Sequence, residues 1–296
     1  MTTPSAMAAI GNAIDVKGLT YAHNSHGNVP PALLDLSLGL PKGSRTLLIG
    51  ANGAGKSTLL QILAGRRLVK GNDVRILGRD VFRDSPPGVT FLGTEWAMNP
   101  VVRSDIVVSY FLDSVGGYRH KARRDRLLDI LDVDLNWHMH AISDGERRRV
   151  QLVMGLMAEW DILLLDEVTV DLDVLVRDDL LSFLKEESET RGATILYATH
   201  IFDGLNNFPT HVAHMRFGSF VSEPAPWLQD QAQDALSPSS SGSTLHALAL
   251  QWLKEDRAFR QQEEAAGRLN KSRGAKEDTG VPTDSEAFYK KYDYSH

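Results

Sequence analysis

The chain has 296 residues, 42% of them apolar, a net charge of −6 and no cysteine. That is enough apolar material for one large domain or two small ones, and it excludes disulfides, thiolate metal sites and a broad cationic surface for nucleic acid. Residues 1–13 show no basic stretch followed by an apolar core, and no apolar run nears the roughly 18 residues that a spanning helix needs, so the expectation is a soluble, intracellular chain in a reducing compartment.

Ile14 to Tyr21 and Ala32 to Leu40 alternate between apolar and polar residues and predict a small antiparallel sheet. The apolar run Thr46-Leu47-Leu48-Ile49 predicts a buried strand and leads into Gly50-Ala51-Asn52-Gly53-Ala54-Gly55-Lys56-Ser57-Thr58. That stretch reads as a phosphate-binding loop rather than a mere glycine-rich turn. Gly50, Gly53 and Gly55 are expected to permit torsions that a Cβ forbids, so that successive N–H groups, those of Asn52, Ala54 and Thr58 among them, surround a polyphosphate at the mouth of the following helix. Lys56 is placed to reach the β- and γ-phosphates, and the Ser57 hydroxyl suits Mg2+. The expected ligand is ATP or GTP.

The loop's helix should run from Thr58 to Ala64 and close at Gly65, followed by strands at Val74–Gly78 and Val89–Leu92. From Val102 to Val133 the pattern turns helical, with Tyr110, Leu127, Leu128 and Leu131 as a candidate apolar face. The basic run Arg119-His120-Lys121-Ala122-Arg123-Arg124 reads as a solvated helix face, so direct nucleic-acid binding is not expected. Ser143 is a natural cap for a helix burying Val150, Val153, Met154 and Met157. The capped end, with the Gly145 backbone, forms an anion site.

Ile162–Leu165 and Thr194–Tyr197 are short and apolar, as central parallel strands are. Strand and helix alternate on this scale in α/β folds with a mainly parallel sheet. Asp166 and Glu167 then stand at a strand's carboxyl end, where such sheets place ligands. Asp166 can hold Mg2+ directly or through water, and Glu167 can orient and deprotonate an attacking water. Residues 224–243, rich in proline and serine, predict a linker. An amphipathic helix is expected over 244–267, either packed on its own domain or bound to a partner, and a charged, disordered tail over 268–296.

The order of these motifs resembles the ATP-binding cassette (ABC) family: phosphate loop, a Ser-x-Gly signature opening a helix, a strand ending in Asp-Glu, then a lone histidine after the next strand. The resemblance covers residues 14–221 and implies a P-loop NTPase of ABC type, with a mainly parallel central sheet, an antiparallel β subdomain and a helical signature subdomain; residues 12–223 would form the ATP-binding domain. It implies that Tyr21 stacks on adenine, that His200 contacts the γ-phosphate, and that Asp173 lies at the seam of a dimer. Ser143, Gly145 and Glu146 would act in trans, on ATP and Mg2+ held by another copy.

Three departures stand out. Ile142-Ser143-Asp144-Gly145-Glu146 replaces the family's Leu-Ser-Gly-Gly-Gln, and Asp144 would repel a γ-phosphate unless turned away. Thr94, beside Glu95 and Trp96, stands where the family has a metal-sensing glutamine that also links to a transmembrane partner, which leaves Thr94 as a further candidate metal ligand. Val168 replaces a proline.

Together with Gly-Thr-Glu-Trp at 93–96 and Asp-Glu-Val-Thr-Val-Asp-Leu-Asp at 166–173, these resemble the soluble branch of cassette ATPases without membrane domains, whose fungal representative is associated with the Not-type transcription and mRNA-regulation complex. The resemblance therefore implies an ATPase switch in a regulatory protein assembly, working as a homodimer or as a heterodimer with another ABC protein, in the cytoplasm and with the nucleus as a further setting. The alternatives are the ATP-hydrolysing subunit of a transporter whose transmembrane chain is separate, and a nucleotide-dependent scaffold with negligible turnover.

Overall fold

The computed structural model describes residues 11–23, 30–71, 73–98, 100–227 and 244–269. Strands β1 (Asn12–Tyr21), β2 (Leu33–Pro41) and β3 (Arg45–Ile49) precede helix α1 (Lys56–Leu63). Next come β4 (Asp73–Ile76), β5 (Arg79–Asp80) and β6 (Val89–Leu92), then α2 (Val108–Ser114), α3 (Lys121–Ile130) and α4 (Asp144–Leu156). Strand β7 (Ile162–Asp166), helix α5 (Val174–Arg191), β8 (Thr194–Ala198), β9 (His211–Arg216), β10 (Ser219–Phe220), β11 (Ala225–Pro226) and helix α6 (Thr244–Ala265) complete the described order.

Two sheets result. The smaller, antiparallel one has the order β2-β1-β4-β5, and the larger runs β10-β9-β3-β8-β7-β6, with β11 also paired to β9. Neighbours from β9 across to β6 are parallel. Every residue of β3, β7 and β8 is buried, because a central parallel strand is covered on both faces. Alternate side chains of these strands enter different apolar clusters. Leu47, Leu163, Leu165, Ile195 and Tyr197 join α2 to α5 on one side. Leu48, Ile162, Leu164, Leu196 and Ala198 join α1 and the antiparallel sheet on the other.

The region from 102 to 133 is not one helix with one apolar stripe. Two 3-10 turns (Pro100–Arg103 and Gly117–His120) alternate with α2 and α3, and Gly116 in the left-handed region breaks the phase between them. Val108, Phe111 and Leu112 therefore face inward on α2, while Tyr110 is 74% exposed and lies outside the core that Leu127, Leu128 and Leu131 enter.

The basic run is also not simply solvated. Arg123 makes a two-pronged pair with the buried Glu187, 2.7 Å on each arm, and lies over the Phe183 ring, tying α3 to α5. Burial alone would raise the Glu187 carboxyl, but hydrogen bonds from Arg123 and Arg191 outweigh it and hold the group below its ordinary value.

The chain divides after Leu253 into two units. Within the first, Leu245 and Ala249 of α6 are buried in the larger cluster, Leu245 N–H donates to Asn206 Oδ1, and Trp252 stacks flat on His214 at 4.6 Å. The described part of the second is helical to Ala265, carries an Arg260–Glu264 pair and turns at Gly267. Most of the expected 224–243 linker, from residue 228 on, and nearly all of the expected 268–296 tail, from residue 270 on, lie outside the described residues. No helix among the described residues is long and apolar enough to cross a membrane.

Replacing Arg123 with Ala leaves a buried carboxylate with one arginine instead of two. We expect a loss of about 2 to 4 kcal/mol in denaturant unfolding at neutral pH. Because the Glu187 carboxyl is depressed, its contribution to stability is present above the unfolded carboxyl range and is lost as pH falls through the folded value. The difference between wild type and Arg123→Ala should therefore shrink on acidification.

Candidate functional site

The loop between β3 and α1 is shaped by two different glycine requirements. Gly55 sits at φ +104, where a Cβ would come within 2.7 Å of the Ala32 carbonyl oxygen and 2.8 Å of Leu33 Cδ2. Gly50 is needed for close approach rather than for an unusual torsion: its Cβ would lie 2.2 Å from the Met215 carbonyl oxygen of β9. The first turn of α1 carries no side-chain cap and no acidic residue, which keeps its positive dipole end available to an anion.

Lys56 is buried and arches back over the loop, its Nζ donating to Gly50 O at 2.6 Å and Ala51 O at 3.2 Å. Ala54 and Thr58 are buried, whereas Asn52, Gly53 and Ser57 face outward.

Strand β8 lies between β3 and β7, so the phosphate loop and Asp166 share the carboxyl edge of the sheet two strands apart. Asp166 is 6% exposed. Burial raises its carboxyl from the ordinary value, a hydrogen bond from Ser57 and the charge of Lys56 pull it back, and Glu167 and Glu95 add to the rise. Its Oδ1 is buried without a hydrogen-bond partner. An orphaned carboxylate oxygen beside a serine hydroxyl at a phosphate loop is a donor set that fits Mg2+.

The next residue, Glu167, takes φ +54, a conformation costing a non-glycine residue about 1 to 3 kcal/mol. This turn lets Glu167 N–H donate to Ala198 O and brings Oε2 to 2.8 Å from His200 Nδ1 and 3.3 Å from the His200 backbone nitrogen. Glu167 and His200 thus meet across two strand ends, while the His200 side chain stays 61% exposed.

Tyr21 ends β1 with its ring edge-on to His23 at 5.3 Å, and its hydroxyl accepts from Arg67 at 3.4 Å. His23 in turn lies 3.5 Å from Thr58 Oγ1, linking the strand end to α1. Arg67 also donates to Gln61, whose amide donates to Glu95 at 2.6 Å. His23, Arg67 and Gln61 belong to no motif, and only their convergence on Tyr21, Thr58 and Glu95 marks them. Thr94 is exposed at the start of a 3-10 turn (Thr94–Met98); the neighbouring Glu95 is the residue whose charge Asp166 feels.

The signature turn closes on itself. Ser143 N–H and Oγ–H both donate to Glu146 Oε2, at 2.8 and 2.7 Å, and Glu146 N–H donates to Ser143 Oγ at 3.2 Å, a reciprocal capping box. Hydrogen bonds from Ser143 hold the Glu146 carboxyl below its ordinary value. Asp144 is held by Arg147 of its own turn and by Arg103, so its charge is countered. Gly145 lies against the backbone of Asp171, where a Cβ would come to 3.0 Å. Asp173 caps α5 through Val176 N–H and pairs with Arg149 at 2.6 Å, so it has an in-chain role of its own. Arg148 and Gln151 both donate to Gly93 O, which fastens the signature helix to the segment leading into Thr94.

A phosphate loop on a parallel sheet, with Asp-Glu at the end of a strand two places away, defines the class of P-loop nucleoside triphosphatases. The comparisons narrow the class. Residues 33–170 match the ABC transporter family. CCR4-associated factor 16 of Saccharomyces cerevisiae is 41% identical over 82% of this chain and 95% of that protein. ABC transporter I family member 21 of Arabidopsis thaliana is 46% identical over 71% of this chain and 77% of that protein. The fold is shared with a dimeric ATP-binding cassette in a post-hydrolysis state bound to ADP and Pi, with TM-score 0.62, 18% identity, and 73% of this chain and 99% of that chain covered. It is shared equally with an ATP-binding subunit of an ABC transporter, with TM-score 0.63, 20% identity, and 81% and 99% covered. The chain belongs to the ATP-binding cassette family and is an ATPase of that family.

Gly55→Ala should destabilise the loop by about 1 to 3 kcal/mol, from strain and contact with Ala32 and Leu33. Thermal unfolding measures the loss, and binding of a fluorescent ATP analogue should weaken with it.

Proposed function

We propose that the chain binds and hydrolyses Mg-ATP at a head-to-tail dimer interface and uses the cycle as a conformational switch in a regulatory protein assembly. The observation that carries this reading is the division of chemistry between two places. Lys56, Ser57, Asp166, Glu167 and His200 gather at the sheet's carboxyl edge, while Ser143 and Gly145 sit at a helix end whose polar groups are engaged within their own turn. The exposed apolar side chains Val170, Val174 and Leu175, 42%, 85% and 71% exposed, flank Asp173 and give a seam something to bury.

In this reading the N–H groups of residues 50–58 and Lys56 hold the β- and γ-phosphates, and Tyr21 stacks on adenine. Ser57 and Asp166, the latter through water, would hold Mg2+, with Thr94 at the edge of the same region. Mg2+ held there would offset phosphate charge. Glu167 takes a proton from water as the water oxygen bonds to the γ-phosphorus; the bond to the β–γ bridging oxygen breaks and ADP leaves. His200, held by Glu167, steadies the γ-phosphate. Ser143 of the other copy must turn its hydroxyl away from the Glu146 carboxylate to donate to that phosphate, so ATP closes the seam by exchanging a charge-assisted hydrogen bond within one copy for one made between copies. ADP offers no such acceptor.

The regulatory assembly rests on the likeness to CCR4-associated factor 16 over nearly its whole length. The proposed setting of this switch is the cytoplasm, extending to the nucleus. Service to a separate transmembrane chain is the second reading, favoured by the cleft of about 350 Å³ lined by Glu95, Trp96 and Met154.

Glu167→Gln should keep ATP affinity within about threefold while phosphate release falls at least about 100-fold. Undiminished release would remove Glu167 as the base. Lys56→Ala should instead weaken ATP binding itself in calorimetry.

A further inference from the structure

Away from the phosphate loop, a second group of side chains converges in the helical subdomain. Asp105 Oδ1 lies 2.7 Å from His138 Nδ1 and 3.1 Å from His140 Nδ1, and the two imidazoles stand nearly perpendicular at 5.8 Å. Three ligand-type atoms, one from each residue, fall within 4.8 Å of one another. We propose that Asp105, His138 and His140 form a binding site for a divalent transition-metal ion of the zinc type, with water completing the coordination.

The backbone holds the three residues in place before any ion arrives. Val107 and His138 form an antiparallel bridge. Val108 N–H donates to Trp137 O and Met139 N–H to Ile106 O, both at 2.8 Å. Met139, between the histidines, is fully buried, and a turn closed by Ala141 N–H donating to His138 O at 2.9 Å leaves residues 138 and 140 on the solvent side. Arg147, itself buried, donates twice to Met139 O. Asp105 therefore faces two histidines carried by one pinned bridge and turn, whereas an ordinary exposed ion pair would be free to disperse.

The chemistry fits the same ion. Two neutral imidazoles and one carboxylate match the three-ligand sets of open zinc sites, and imidazole disfavours Mg2+ and Ca2+. Tetrahedral ligands about 2.0 to 2.2 Å from zinc are about 3.3 to 3.6 Å apart. The two Asp105–histidine separations need to open by well under an ångström, within reach of side chains that are 49% to 72% exposed. On binding, each neutral imidazole offers its Nδ1 lone pair and carries its proton on Nε2, so the ion takes the place of two hydrogen bonds to Asp105. His140 lies three residues before Ser143, and Asp105 two residues after Arg103, which pairs with Asp144. A bound ion would brace both segments that lead to the signature turn.

The test uses the full chain without a polyhistidine tag, stripped of metal and free of nucleotide, titrated with Zn2+ by calorimetry and with Co2+ by visible absorption. The expected result is one saturable equivalent, with the intense absorption of low-coordinate Co2+ and a rise in melting temperature on Zn2+ addition. His138→Ala and His140→Ala should each weaken binding at least about tenfold and lose the Co2+ spectrum, and Asp105→Asn should weaken it too. All three side chains are exposed, so unchanged metal-free melting verifies that the variants fold. Absence of saturable binding, or equal affinity in the His138→Ala/His140→Ala double variant, overturns the proposal. Neither result bears on ATP binding at the phosphate loop.

Discussion

A buried carboxylate oxygen with no protein partner is the constraint on which the site depends. Asp166 Oδ1 ends the fully buried strand β7, and desolvation there penalises its charge. Such a group is retained where a cation or ordered water meets it, and Lys56 and Ser57 lie close enough to shift its ionisation. Strand β8 spaces β7 from β3 so that the carboxylate and the phosphate loop share one edge. The strained turn at Glu167 then swings the next carboxylate toward His200 instead of continuing the strand.

The signature helix is connected to this edge by consecutive arginines that point in different directions, as about 100° per residue requires. Arg147 grips the segment before the helix through Met139 O and Ile142 O and holds Asp144. Arg148 binds Gly93 O, at the exit of β6. Arg149 pairs with Asp173 beyond the Asp-Glu turn and with Asp132 after α3. The segments after β6 and β7 are thus hydrogen-bonded to the helix that Ser143 caps, and the Ser143–Glu146 box closes that helix's first turn on itself.

The central strands and the phosphate loop were legible because burial on two faces leaves continuous apolar runs, and because few patterns besides a phosphate cradle need Gly-x-x-x-x-Gly-Lys-Ser. The reach of Asp144 was legible only as a question, answered by Arg103 from 41 residues away. Tyr110 was misplaced because a helical period was carried through Gly116, where the phase resets. Arg123 looked like part of a solvated run because its partner Glu187 lies 64 residues downstream. Gly50 was assigned a torsional need, whereas its neighbour on β9 requires the absence of a side chain. For Asp144, Arg123 and Gly50 the deciding contact crosses between elements and leaves no local periodicity. The same holds for Asp105 and the two histidines, which an antiparallel bridge brings together.

The central claim is that one copy's phosphate loop and another copy's signature turn grip the same γ-phosphate. Sedimentation of Glu167→Gln with Mg-ATP and with Mg-ADP tests it most directly, with Gly145→Asp added in the same background as a control. The account predicts a species of twice the chain mass with ATP, a monomer with ADP, and a monomer with ATP once Gly145 is changed. A Glu167→Gln protein saturated with ATP yet monomeric, or a dimer indifferent to Gly145→Asp, would contradict it.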